Sequence, residues 1–162
     1  MEADLDIIGI DATDAGRNVY EAYGFERIEG IDRLRGTPSA SDFDISAGSV
    51  SNVDAVVEFD IGRSGTIRER LFERLYDAKI VPCLRVPADG ELRGFAAVRP
   101  GRTCPKVGPI VVSDGNAFED LLAAVGAHVD SEVVVDALDR DQFGGLLERA
   151  WLSVSRPLHR MI

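Results

Sequence analysis

The feature that most limits how this chain can fold is a pattern found at both of its ends. Near the start, "IDATDAGRNVYEAYGFERIEGIDRL" reads as an apolar strand ending in Asp-Ala, a capped helix, and a strand carrying Arg plus an apolar residue. Near the end, "VDALDRDQFGGLLERAWLSVSRPLHRM" repeats that succession. Asp11 falls against Asp136, an offset of 125 (136 − 11), and Arg33 against Arg160, an offset of 127 (160 − 33), so the second copy holds a two-residue insertion. The match is either a repeat or the coincidence of two common strand-helix-strand units. In either case the first unit is too small to fold alone, because it buries too little apolar surface to offset its own ordering. It must dock, either on the sheet of its own chain or across a two-fold axis on a second copy.

Between the ends, hydrophobic patterning sets out the elements. "LDIIGID" at Leu5 to Asp11 reads as a buried strand, followed by a helix capped by Asp14, running to about Tyr23 and stopped at Gly24. "FERIEGIDRLRG" is the next strand. The Ser-, Gly- and Asp-rich "TPSASDFDISAGSVS" reads as a linker, with a possible short strand at "DFDIS". "SNVD" resembles a capping box opening a helix at "VDAVVEFD", and a second helix over about Gly65 to Ala78 aligns Ile67, Leu71 and Leu75 in one stripe. Three strands are expected in the stretch from Ile80 to Val112, with Asp89-Gly90 as a hairpin turn. A helix over Asn116 to Val125 should end at Gly126, a strand follows at "SEVVVDAL", then a helix capped by Asp139 and a last strand at "LSVSRPLHRM". Hairpin strands followed by strand-helix-strand crossovers predict a mixed sheet with helices on both faces, an α/β (α+β three-layer) domain.

Composition narrows the chemistry. A net charge of −10 with scattered basic residues argues against nucleic acid, and no run reaches the roughly 18 apolar residues of a membrane span. With no basic, then apolar, start, the chain is expected to be cytoplasmic. Asp is abundant and Lys occurs only at Lys79 and Lys106, the composition expected of a halophilic surface kept hydrated in salt. Cys83 and Cys104 both fall in expected strands and read as reduced, buried thiols, and with His128 and His159 they lack the spacing of a metal site.

"DATDAGRNVYEAYGF" resembles the strand and last helix of GNAT-superfamily N-acetyltransferases, in which a Tyr precedes a Gly-Phe pair. "GFAAVRPGR", "GPIVVSDGNAFEDLL" and "RPLHRM" resemble the C-terminal domain of acetyltransferases that carry two such units in tandem. The resemblance implies a GNAT-like acyl-CoA N-acyltransferase fold, with residues 1–36 the strand-helix-strand remnant of a first unit, 37–50 a linker, and 51–162 a complete but degenerate second unit. It implies acetyl-CoA as cofactor and a small-molecule or peptide amine as acceptor. Partners would be a homodimer, or a protein supplying the missing front of the first unit.

In the family, Tyr20 would protonate the departing CoA thiolate, and a carboxylate such as Glu58 or Asp60 would act as the base for the amine. The repeat sets Leu147, which transfers no proton, against Tyr20. The family holds the CoA pyrophosphate on a Gly-rich R-x-x-G-x-G/A turn at a helix N-terminus. The matching residues here, Val112, Ser113, Gly115 and Asn116, sit in "VSDGNAF", which lacks the Arg, keeps one Gly, and puts the Asp114 carboxylate where a phosphate would lie. That departure opens a second reading, a non-catalytic GNAT-like assembly or ligand-binding module, with Asp114 a helix cap and Tyr20 a packing aromatic.

Overall fold

The computed structural model of the chain describes residues 7–38, 48–49, 53–65, 67–77, 84–88, 91–138 and 152–162. The elements are β1 (Ile10–Ala12), α1 (Asp14–Ala22), β2 (Arg27–Gly36), β3 (Gly48–Ser49), α2 (Val53–Ser64), α3 (Glu69–Asp77), β4 (Leu84–Ala88), β5 (Glu91–Arg99), β6 (Lys106–Val112), α4 (Gly115–His128), β7 (Val133–Leu138) and β8 (Ser153–Met161). Ser51, Asn52, Cys83, the Asp89-Gly90 turn, the "DFDIS" segment and the helix expected after Asp139 lie outside the described residues. Among the described residues no helix is long and apolar enough to cross a membrane.

The eight strands form one mixed sheet in the order β1-β8-β2-β7-β6-β5-β4-β3, antiparallel except for the β6/β7 pair. β5 shows why helices cover both faces. Its residues alternate, so Ala96 and Val98 join Leu121, Leu122 and Val125 of α4, while Phe95 and Ala97 join Val56, Phe72 and Leu75 of α2 and α3. The predicted three-layer α/β architecture is therefore the one that forms.

The two end units interleave. β8, from the second copy, lies between β1 and β2 of the first, and β2 lies between β8 and β7. Their register follows a local two-fold. Ile31 faces Leu158, its own counterpart at the offset of 127 (158 − 31), and the flanking pairs Gly30/His159 and Asp32/Pro157 exchange under the same operation. Asp11 lies opposite Arg160 in β1/β8, and Arg33 lies opposite Asp136 in β2/β7. The repeated Asp and Arg thus meet crosswise, each Arg gripping the Asp of the other copy with two hydrogen bonds: 2.6 and 2.8 Å for Arg33 to Asp136, 3.1 and 3.5 Å for Arg160 to Asp11.

Several local expectations are corrected. Of the strand expected over Leu5 to Asp11, residues 5 and 6 lie outside the described residues, Ile7 to Gly9 are not in a strand, and β1 covers Ile10–Ala12, because its pairing with β8 ends at Met161. Thr13, not Asp14, caps α1 by accepting from the Gly16 N–H, and Asp14 turns instead to His159. In α3 the buried side chains are Phe72 and Leu75, with Ile67 and Leu71 exposed, because the helix starts at Glu69 and turns a different stripe toward Phe95. α4 runs through Gly126 to His128, since Ala124 and Val125 on the preceding turn are anchored in the core. Cys104 lies in the turn between β5 and β6 rather than in a strand.

Candidate functional site

β6 and β7 run parallel but pair only at Lys106/Val134 and Val107/Val135. Past them comes Gly108-Pro109, and proline has no N–H to give the ladder, so β6 leaves its neighbour. The strands splay into a wedge of about 430 Å³, walled by Val107, Ile110, Val112 and Phe118 and bordered by Asp136 and Arg160. At the β5 side Gly94 permits close approach, since a Cβ there would sit 2.9 Å from a Val112 methyl. The wedge ends where β6 gives way to α4, so its apolar slot and a helix N-terminus are adjacent.

That N-terminus is already occupied by the chain's own carboxylate. Asp114 accepts from the Ala117 N–H at 2.9 Å, from the Ser113 hydroxyl at 2.6 Å, and from Arg93 at 3.1 Å. The Ser113 hydroxyl, the Ala117 N–H and the Arg93 charge hold its pKa down from 3.8 to about 2. The Ser113 N–H donates to the Arg93 carbonyl at 2.8 Å. Of the four residues matched to the family turn, Val112 ends β6 and lines the wedge, Ser113 is turned toward β5 through its N–H, and Gly115 and Asn116 open α4. An incoming phosphate would meet negative charge there unless Asp114 moved aside.

Tyr20 lies elsewhere. It projects from α1, which packs on β1 and β8, and its ring meets Phe25 edge-on at 5.8 Å. Between β8 and β6 stand β2 and β7, which at about 4.8 Å per strand puts roughly 14 Å between the two places. The fold does not bring Tyr20 and the start of α4 into one centre. The carboxylates considered as bases stand on α2, which packs on β5 and α3, and Asp60 is parted from the wedge by Arg68, which lines it. Asp60 is fully buried and clasped by both arms of the Arg68 guanidinium, while Glu58 is exposed. The ion pair ties α2 to the residue before α3 and takes up Asp60 as a free base.

One polar pair at α1 was not legible beforehand. His159 of β8 is buried, and its Nε2 lies 2.5 Å from Asp14 Oδ1 at the head of α1. Its position opposite Ala12 and Gly30 is set by strand pairing, which sequence spacing does not report. Among the described residues no group of three or more His, Cys, Asp and Glu side chains could hold a metal ion.

The family described as the acetyltransferase (GNAT) domain matches residues 56–162. The chain belongs to the GNAT acetyltransferase family. Among solved structures it is similar to a candidate acetyltransferase of Pyrococcus horikoshii, at 20% identity and a TM-score of 0.72, over 95% of this chain and 52% of that one. It is also similar to a GCN5-related N-acetyltransferase of Sphaerobacter thermophilus, at 16% identity and a TM-score of 0.62, over 94% of this chain and 58% of that one. A GNAT acetyltransferase of Colwellia psychrerythraea matches at 12% identity with a TM-score of 0.65, over 94% of this chain and 64% of that one. This GNAT chain therefore spans about half the length of the first of these proteins. No curated protein sequence matches it.

Proposed function

We propose that the chain serves acyl-CoA-dependent transfer of an acetyl group to an amine as the carboxy-terminal part of a two-unit acetyltransferase. Tyr20 is the general acid of the first unit, and the second unit is chiefly structural. The observation that carries this reading is α1 itself. The helix buries none of its residues, and around it Val19 is 54% exposed and Tyr23 80% exposed, with Ile7, Ile8, Ile28 and Ile162 also open. A helix whose apolar side chains face outward is half of a packing layer.

The local two-fold supports one way of completing it. β7 pairs in parallel with β6 on its outer side, and β1, the counterpart of β7, ends the sheet with that same side open among the described residues. A strand equivalent to β6 laid parallel along β1 would cover α1 and open a wedge beside Tyr20, as β6 does beside β7. Such a strand comes from the front of a first unit, whether preceding this chain, in a partner, or in a second copy forming a homodimer. In that centre the neutral amine attacks the thioester carbonyl of acetyl-CoA, the new C–N bond forms and its nitrogen gives up a proton to water, the C–S bond breaks, and Tyr20 gives its proton to the thiolate. A cytoplasmic setting at high salt is consistent with this reading and with the acidic surface.

Asp114 favours a second reading for the wedge of this chain, an assembly or ligand-binding module without catalysis. Calorimetric titration with acetyl-CoA separates the two. One-to-one heat that strengthens in Asp114→Gly puts the cofactor against Val112, Ser113, Gly115 and Asn116. Silence at millimolar ligand removes this chain's own wedge from the chemistry. In an active preparation, Tyr20→Phe should lower kcat by about a hundredfold or more, and an unchanged kcat discards Tyr20 as the acid.

A further inference from the structure

A second cavity, of about 600 Å³, lies at the opposite end of the β6/β7 pair from the wedge. In a chain of net charge −10, its wall gathers five of the eighteen basic side chains: Arg33, Arg35, Arg102, Lys106 and Arg156. No acidic residue lines it among the described residues. The sheet builds the cluster. Arg33 and Arg35 are two apart on β2 and so share a face, Arg156 lies directly opposite Arg33 on β8, and Lys106 opens β6 beside Val134. Arg102 arrives on the β5/β6 turn, which only glycine allows to close at position 101, where a Cβ would fall 2.1 Å from the Cys104 carbonyl oxygen.

Nearby carboxylates neutralise part of this charge. Arg33 and Lys106 share Asp136, and Arg35 reaches Glu132 at 3.1 Å. Arg102 and Arg156 make no ion pair among the described residues, and Arg33 faces Arg156 across the strands. Like charges directly opposite in a sheet repel, and an anion between them reverses the sign of that contribution. Among the described residues, five cations against two carboxylates leave room for about three negative charges.

We propose that this cavity is a binding site for a small oligophosphate, a ligand with two or more linked phosphate groups. Arg102 and Arg156 supply guanidinium forks that are unpaired among the described residues, and Arg35 with the Thr103 hydroxyl, 3.3 Å apart, forms the rim. The site is separate from the wedge: it uses the side chain of Lys106 before β6 parts from β7, whereas the wedge begins at Val107.

The test is calorimetric titration of the full chain with inorganic tripolyphosphate in about 0.1 M salt, where screening already acts beyond about 10 Å. The expected result is one-to-one binding, weakened about tenfold or more in Arg102→Ala and in Arg156→Ala but unchanged in Arg70→Ala, an exposed position of α3. Circular dichroism verifies that the variants are folded. Absence of saturable heat at millimolar tripolyphosphate, equal affinity in all variants, or orthophosphate binding as tightly as tripolyphosphate would each overturn the proposal. ATP in a parallel arm identifies the source: affinity above that of tripolyphosphate marks a nucleotide, and equal affinity marks the phosphate chain alone.

Discussion

Asp114 remains ionised far into acid because the Ser113 hydroxyl, the Ala117 N–H and Arg93 all stabilise its charged form, so it titrates near 2 instead of 3.8. A carboxyl group with a depressed folded pKa contributes stability that is complete above about pH 4 and is lost as pH falls toward 2. Asp114→Asn keeps the helix cap without the titration, so its acid unfolding curve should be flatter over that window than that of the natural chain. Asp114→Ala should cost about 1 kcal/mol at neutral pH in urea unfolding. The two crosswise ion pairs are unequal in burial, which gives a second residue-scale prediction. The Arg33/Asp136 side chains are 23% and 13% exposed, against 40% and 37% for Arg160/Asp11. Burial pushes Asp136 up, but Arg33 and Lys106 outweigh it and leave its pKa below the ordinary value. Asp136→Ala strands two cations and should cost about 2–3 kcal/mol, whereas Asp11→Ala should cost less than about 1 kcal/mol. Equal losses in urea unfolding would mean that burial is not what ranks them.

At the scale of elements, α1 and α4 are opposites. α4 buries seven residues between Ala117 and Val125, and α1 buries none. Amide exchange in the chain alone should therefore protect α4 strongly and α1 weakly, despite the Thr13 cap and the Asp14–His159 contact that hold α1. Comparable protection in both helices would contradict the view that α1 awaits a covering layer. The helices and strands themselves were largely readable, because periods of 3.6 and 2 are written in apolar spacing. Boundaries were less so. Gly126 looks like a stop by itself, but a helix whose preceding residues are fixed in the core continues past a glycine that costs about 1 kcal/mol. The α3 stripe shifted because Phe72 found Phe95 and Leu75 joined the same cluster, a choice made by the opposing sheet.

At the scale of the whole molecule, the chain's two ends cannot be separated without undoing the sheet, since β8 pairs with both β1 and β2 and β7 pairs with β2. Removal of residues 1–36 would bare both edges of β8 and one of β7, and the shortened chain is expected to lose cooperative thermal unfolding in calorimetry. A truncated protein that melts as sharply as the full chain would show that the second unit stands unaided. The sequence by itself determined the alternation of helices and strands, the cap at Asp114, and the recurrence of Asp and Arg at matched places. Those are properties of short stretches, set by periodicity and local hydrogen bonding. Only tertiary structure decided that the matched residues meet crosswise, that Tyr20 and the start of α4 stand apart, and that five cations converge at one end of the sheet. Each of these depends on strand order and register, which arise from pairing between residues a hundred or more positions apart.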